Sequence, residues 1–406
     1  MNPDPSEDAY AEMEMEGLCE AAHLTPCGMM RQRLDRGGKP TYIGKGKVEE
    51  LVTYAKDAEA DIVIFDGELT GIQMRNLQEA VGRPVADRTQ LILDIFARRA
   101  KTREGMLQVE LAQLSYMLPR LMSVYTKFER QRGGIGMRGP GETKLETDRR
   151  MVRDRIAKLK GDIDVVREQR GAQRAARKRN PYPTAAIVGY TSAGKSTLMN
   201  RLCGTDLLAD AMPFATLDPT VRKVDLPDGY AVFLSDTVGF IRNLPTHLVA
   251  AFRSTLEEAT FSDVLLHVVD VSIGEWEVQR DAVLETLAQL DAADKPMITV
   301  FNKVDAVEDR GWLTELVATW PNSVAISAQT GEGVDDLLLA LKKFVQQHLG
   351  LVCVLLPYDK ASLVQQCFGY GRVIKEEYRQ DGIYIEAELV EEMRGVLRQY
   401  EVAPSE

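Results

Sequence analysis

The sequence predicts an α/β protein built on a doubly wound, mostly parallel sheet. An N-terminal α/β domain carrying a long antiparallel helical hairpin precedes the sheet, and a small C-terminal α+β domain follows it. Three observations predict this. Apolar runs alternate with helical patterns between about residues 184 and 349. The first run, Ala185-Ala186-Ile187-Val188, leads into Gly189-Tyr190-Thr191-Ser192-Ala193-Gly194-Lys195-Ser196-Thr197 and then a helical stretch from Leu198, which is strand, G-x-x-x-x-G-K-S, helix. Upstream, between about 101 and 180, apolar residues recur at helical spacing with one glycine-rich break.

Taken in order, the first residues are acidic and Met-rich, and Ala9 to Ala22 predict a short helix. Gly28-Met29-Met30 and Thr41-Tyr42-Ile43 read as strand-like. Gly44-Lys45-Gly46-Lys47 then leads into a helix from Val48; a tight turn is the simpler account, a phosphate contact the other. Asp61–Phe65 predicts a strand, Ile72–Leu77 a helix, Val85–Thr89 a short strand and Leu91–Phe96 a helix, a small α/β unit over 1–100.

In 101–180, Leu107, Leu111, Leu114, Leu118 and Leu121 mark a first helical arm. Val152, Ile156, Leu159, Ile163 and Val166 keep the 4-3-4-3 spacing of a heptad seam on a second. The two arms should bury these stripes against each other. Between them, loop 132–143 holds five glycines and Pro140, and Thr143 with Glu146 reads as a capping box for the second arm.

Arg174 to Asn180, followed by Pro181 and Pro183, marks a linker into the domain at 184–349. Its strands are expected at 185–189, 231–235, 264–271, 297–301 and 323–327, with helices after the phosphate loop and around 245–259, 276–293, 311–319 and 333–348. The remainder, 350–406, reads as a strand (Leu351–Leu356), a helix, a hairpin turning at Gln380-Asp381-Gly382 and a final helix.

Composition narrows the functional classes. The 406 residues are 45% apolar and 27% charged, enough for several cores. No apolar run reaches the roughly 18 residues of a membrane span, and the acidic start lacks a signal pattern, so a cytoplasmic chain with no membrane span is expected. The five cysteines form no C-x-x-C pair, which argues against a zinc site or a disulfide framework. Net charge is −11, yet residues 120–179 hold 18 Lys and Arg against 8 Asp and Glu. Such a basic middle on an acidic chain fits a localised polyanion contact; a solvated helical face is the bland account. At the loop, Arg132, Arg138, Lys144, Arg149 and Arg150 would neutralise RNA phosphates while the glycines allow close approach. A mobile linker is the alternative.

The phosphate loop places backbone N–H groups around an anion, with Lys195 reaching the β- and γ-phosphates and Ser196 ligating Mg²⁺. Asp236-Thr237-Val238-Gly239 ends an apolar run, with Asp236 holding Mg²⁺ through water and the Gly239 N–H sensing the γ-phosphate. Between them lies Phe214-Ala215-Thr216-Leu217-Asp218-Pro219-Thr220. Thr216 is the candidate third Mg²⁺ residue, with Thr220 the alternative. Lys195, Thr216 and Gly239 are the candidate catalytic residues. Asn302-Lys303-Val304-Asp305 selects the base, because the Asp305 carboxylate can accept two hydrogen bonds from guanine that adenine cannot offer. Ser327-Ala328-Gln329 sits where a backbone N–H would meet guanine O6. The ligands expected are therefore GTP and GDP with Mg²⁺. Phe240 stands where many G proteins carry a water-orienting glutamine, so slow, partner-stimulated hydrolysis is expected.

These motifs resemble a P-loop GTPase of the translation-factor-related class. Gly189–Thr197, Phe214–Pro219, Asp236–Arg242 and the segment from Gly133 through Gly141-Glu142-Thr143 to Arg150 are similar to HflX, a ribosome-associated family related to the Obg group. The resemblance runs from about residue 40 to the C-terminal appendage. It implies docking on the large ribosomal subunit and its RNA through loop 132–143, separation of stalled ribosomes under stress in some members, and ATP binding at the N-terminal region. A monomer is expected. Two other classes compete: an RNA-remodelling ATPase in which GTP is regulatory, and a nucleotide-regulated scaffold.

Overall fold

The computed structural model describes residues 5–32, 39–129, 140–178, 182–204, 214, 220–242, 248 and 258–403. The chain packs as two compact units. The first comprises Met1–Arg167 with Met212–Asp218 and Arg242–Ser254, and the second comprises Glu168–Ala211, Pro219–Ile241 and Thr255–Glu406.

The first unit opens with α1 (Pro5–Ala21), then α2 (Lys45–Asp57), β1 (Val63–Phe65), α3 (Gly71–Val81), β2 (Val85–Asp87) and α4 (Arg88–Arg99). β1 and β2 pair in parallel, Val63 opposite Val85. α3 begins with a full capping box: the Thr70 hydroxyl accepts from the Gln73 N–H, and the Gln73 side chain accepts from Thr70. α4 is capped by Asp87, whose Oδ1 accepts the Gln90 N–H at 2.9 Å. Val48, Leu51, Phe65, Leu69, Leu77 and Val85 form the core between these elements.

Two short strand expectations fail. Residues 28–30 have no strand, although Met30 packs on this core. Tyr42 turns the chain with φ 62, a left-handed conformation incompatible with a strand.

The helical arms are α5 (Arg103–Glu129) and α6 (Pro140–Lys178). Their stripes are less buried than a heptad seam demands: of the five α6 positions only Leu159 is fully covered. On α5 Leu111 is buried as expected, but Gln108, Val109, Ala112 and Tyr116 also turn inward, and the helix packs on α3 and α4. A bidentate pair, Arg155 to Glu110 at 2.7 Å for both bonds, links the arms. Thr143 lies inside α6, since Pro140, with its preset φ, already starts the helix; the expected capping box is therefore not the start. Loop residues 132–139 lie outside the described residues, as do the side chains of 140–145.

The second unit holds β3 (Thr184–Gly189), α7 (Lys195–Cys203), β4 (Val221–Asp225), β5 (Ala231–Asp236), β6 (Val264–Asp270), α8 (Trp276–Gln289), β7 (Met297–Asn302), α9 (Gly311–Thr319), β8 (Ser323–Ala325) and α10 (Val334–Gln347). The six-stranded sheet runs β4-β5-β3-β6-β7-β8, parallel except for β4 at the edge. β3 and β6 are central and read as unbroken apolar runs because both faces are covered. On one face Ile187, Leu198, Val268, Val300, Ile326 and Leu341 share a core. On the other, Trp276, Phe301 and Trp320 meet edge to face, with ring centroids 5.6–6.2 Å apart, and Trp312 stacks on Trp276 at 6.5 Å. The helix expected around 245–259 falls largely outside the described residues.

The chain ends with β9 (Gly350–Leu356), α11 (Ala361–Gly369), β10 (Gly371–Arg379), β11 (Gly382–Leu389) and α12 (Glu391–Leu397). β10 and β11 form the expected hairpin with Arg379 opposite Gly382, and β9 pairs with β11. No helix among the described residues is long and apolar enough to cross a membrane.

Candidate functional site

The parallel sheet sends β3, β5, β6 and β7 to one edge, and the loops at their carboxyl ends form the site, as in other doubly wound sheets. β3 stops at Gly189, where a Cβ would fall 2.3 Å from the Val268 carbonyl oxygen. The loop continues through Ser192 with φ 62 and Gly194 with φ 93 before α7 begins at Lys195. At Gly194 a Cβ would also lie 2.2 Å from the Asn302 amide nitrogen, so glycine is needed on two counts.

Lys195 is 7% exposed, and its ammonium donates to the carbonyls of Gly189 at 3.0 Å and Tyr190 at 2.6 Å. Burial lowers its pKa to about 8, with the nearby Asp236 carboxylate opposing. The Ser196 hydroxyl donates to Asp236 Oδ2 at 3.2 Å, bringing two hard oxygen groups to one corner. Asp236 Oδ1 accepts the Thr237 N–H at 2.9 Å, and the Thr237 hydroxyl donates to Ile187 O at 2.6 Å. These bonds fix the end of β5 against β3. Val238 is buried, Thr197 half-buried and Ser192 exposed.

Gly239 and Phe240 return to the phosphate loop. The Phe240 N–H donates to Gly189 O at 3.1 Å, and Phe240 O accepts the Thr191 N–H at 2.8 Å. The Phe240 ring is 1% exposed, so it is a core residue that presents no polar group to water. Phe214 is buried against Phe96, with ring centroids 4.6 Å apart. Ala215, Thr216, Leu217 and Asp218 lie outside the described residues; Thr220 accepts the Asp236 N–H at 3.1 Å through its backbone carbonyl.

The second half of the site is drawn together by Asn302, which is 1% exposed. Its amide donates to Ala193 O at 2.8 Å, and its Oδ1 accepts the Ala328 N–H at 2.9 Å. One side chain therefore ties the phosphate loop to the Ser327-Ala328-Gln329 loop. Lys303 has φ 68, and the Val304 N–H donates to Ile326 O at 3.2 Å. Asp305 is exposed and Ser327 fully buried, its hydroxyl accepting the Thr330 N–H at 3.0 Å.

Two residues escaped the sequence reading. Asp270 ends β6 and pairs with Lys303 at 2.6 Å, which fixes where the Lys303 stem lies. Arg201 on α7 donates to the carbonyls of Ala328 (3.2 Å) and Gln329, steadying the loop from below. A carboxylate at the end of an apolar strand was the available signal for Asp270. Arg201 had none, since its partners are backbone atoms 127 and 128 residues away. At the Gly44–Lys47 stretch, Gly44 caps α2 and Lys47 pairs with Glu50 at 2.7 Å, so a tight turn accounts for it.

Known proteins match the chain along most of its length. Residues 10–97 fit the family described as GTP-binding GTPase N-terminal, and 99–177 its Middle Region. Residues 184–303 fit 50S ribosome-binding GTPase, and 313–399 the HflX C-terminal domain. The GTPase HflX of Lacrimispora saccharolytica is 47% identical over 388 residues, covering 95% of this chain and 91% of that protein. That of Escherichia coli is 43% identical over 342 residues, covering 84% and 80%. A GDP complex of a GTP-binding protein from Sulfolobus solfataricus is 24% identical with a TM-score of 0.45, covering 83% of this chain and 96% of that one. With identity at this level over nearly the whole length, and with all four family regions matched in order, the chain belongs to the HflX family of GTPases and is a GTP hydrolase.

Proposed function

We propose that the protein is a Mg²⁺-dependent GTPase of the large ribosomal subunit, in which GTP binding and hydrolysis time docking and release and so drive ribosome dissociation or rescue under stress. Asn302 carries the nucleotide half of this reading, because it joins the phosphate loop to the base loop through two hydrogen bonds. Lys195 binds the β- and γ-phosphates, Asp305 accepts from guanine, and the Ala328 N–H donates to guanine O6. Ser196 and Asp236 offer the hard oxygens that suit Mg²⁺, with Thr216 as the third group. Bound there, the metal would neutralise charge on the phosphates. The Gly239 N–H faces the γ-phosphate and reports its loss.

With Phe240 buried, no side chain at that position orients water, which supports slow turnover until a partner engages. The basic, glycine-rich segment 132–143 and the match of 184–303 to 50S ribosome-binding GTPases support a ribosomal partner. The protein acts in the cytoplasm as a monomer.

The test is GTP turnover alone and with purified large subunits, using Lys195→Ala as the blank. Stimulation of about tenfold or more, lost on deleting 133–141, is the expected result. Turnover unchanged by subunits, with binding indifferent to nucleotide, would overturn the ribosomal timer.

A further inference from the structure

Arg201 lies on α7, the helix that Lys195 and Ser196 open, and stands about 9 Å further along its axis than Lys195. From there its guanidinium reaches the base loop. Nε donates to the Ala328 carbonyl at 3.2 Å, and Nη2 donates to the carbonyl of Gln329. The turn that follows lies against the same group: a Cβ on Gly331 would meet Arg201 Nη1 at 3.6 Å. One guanidinium thus takes two successive carbonyls, a fork that an ammonium cannot reproduce.

The bonds that close the loop use neither of those carbonyls. The Ser327 N–H donates to Glu332 O at 2.9 Å, the Gly331 N–H to Ser327 O at 2.8 Å and the Thr330 N–H to Ser327 Oγ at 3.0 Å. Ala328 is held on both sides, by Asn302 at its N–H and by Arg201 at its carbonyl. That carbonyl shares a peptide with the Gln329 N–H, and in a trans peptide the two groups point in opposite directions. Holding the carbonyl towards α7 therefore turns the Gln329 N–H away from the helix. No acceptor takes that N–H among the described residues.

We infer that Arg201 is a positioning residue for base recognition: it presents the Gln329 N–H, beside that of Ala328, to the 6-oxo group of guanine. This rests on the proposed base site at Ser327-Ala328-Gln329, and all the residues involved belong to the second unit.

The experiment measures dissociation constants of the full-length protein for GDP, 6-thio-GDP and IDP with Mg²⁺, in the wild type, Arg201→Met and Arg201→Lys. Sulfur at position 6 is a weak acceptor, so 6-thio-GDP weakens that one contact. IDP lacks only the 2-amino group assigned to Asp305. In Arg201→Met, GDP affinity should fall about threefold to tenfold, and the preference for GDP over 6-thio-GDP should shrink by the same factor. The preference for GDP over IDP should stay unchanged. Arg201→Lys, which reaches one carbonyl but not both, should fall between. An arginine that only stabilises the loop would lower the melting temperature, weaken all three ligands alike and leave both preferences at wild-type values, and that pattern overturns the inference alone. A wild type that binds 6-thio-GDP as tightly as GDP has no donor at the 6-oxo group, and the proposed base site then fails as well.

Discussion

Asn302 shows how much of this site rests on single side chains. Removing its amide leaves the Ala193 carbonyl and the Ala328 N–H without their partners, and an unmet buried group costs about 1–3 kcal/mol. Asn302→Ala should therefore weaken guanine-nucleotide binding by at least tenfold and lower the melting temperature, as read by calorimetry. Asp305 is the contrasting case, since it is exposed to solvent and lies outside the cores that hold the sheet. Asp305→Asn should leave the melting temperature unchanged while cutting GTP affinity by about a hundredfold or more, the cost of losing charge-assisted bonds to the base. An equal loss of stability would show that the carboxylate has a structural role instead. These residues were legible because the motifs fix residue type and spacing together. Arg201 and Arg88 were not, because each acts on atoms distant in sequence and no local pattern marks a long-range bond.

At the level of elements, the five parallel strands were readable as apolar runs, and the C-terminal hairpin from its Asp-Gly turn. β4 was missed because an edge strand is half wet: Arg222, Lys223 and Asp225 interrupt its apolar pattern. The heptad spacing on α6 overstated its burial, since spacing gives a stripe but not the partner that covers it. β6 also carries an anomaly, His267, 2% exposed among apolar neighbours. Burial, with repulsion from Arg280 and Lys195, lowers its pKa to about 4. Above the unfolded value of about 6.5 both states are neutral. As pH falls towards 4 the unfolded chain takes the proton and the folded chain does not, so stability drops, by about 3 kcal/mol from this residue. His267→Leu should remove that slope. Urea unfolding midpoints between pH 7 and 4.5 should fall less in the variant, and parallel curves would refute the assignment.

For the whole molecule, two segments that lie within the GTPase sequence, Met212–Asp218 and Arg242–Ser254, pack with the N-terminal unit. Their described members explain why: Phe214 meets Phe96 on α4, and Arg242 meets Arg88 and Glu14. The residue beside Arg88 faces the other way. Asp87, fully buried, accepts from the Leu69 N–H at 3.0 Å and from Arg120 of α5 at 3.4 Å. One peptide bond thus separates the residue that holds α5 from the residue that holds the Arg242 carbonyl. Arg120→Met should leave unstimulated turnover intact and reduce stimulation by large subunits, as read by the same phosphate-release assay. Unaltered stimulation would show that the arm signals by another route.

All three tryptophans of the chain stand together beside Phe301, one residue before Asn302. Arg280 lies over two of them, 5.7 Å from the Trp276 ring and 5.0 Å from that of Trp320. The consequence is optical. Indole emission from this protein originates entirely beside Phe301, next to the proposed base-recognition segment Asn302–Asp305. Guanine arrival is therefore observable without a dye, and the rate of a change that also needs the γ-phosphate can be separated from it by comparing the two nucleotides in a stopped-flow cell.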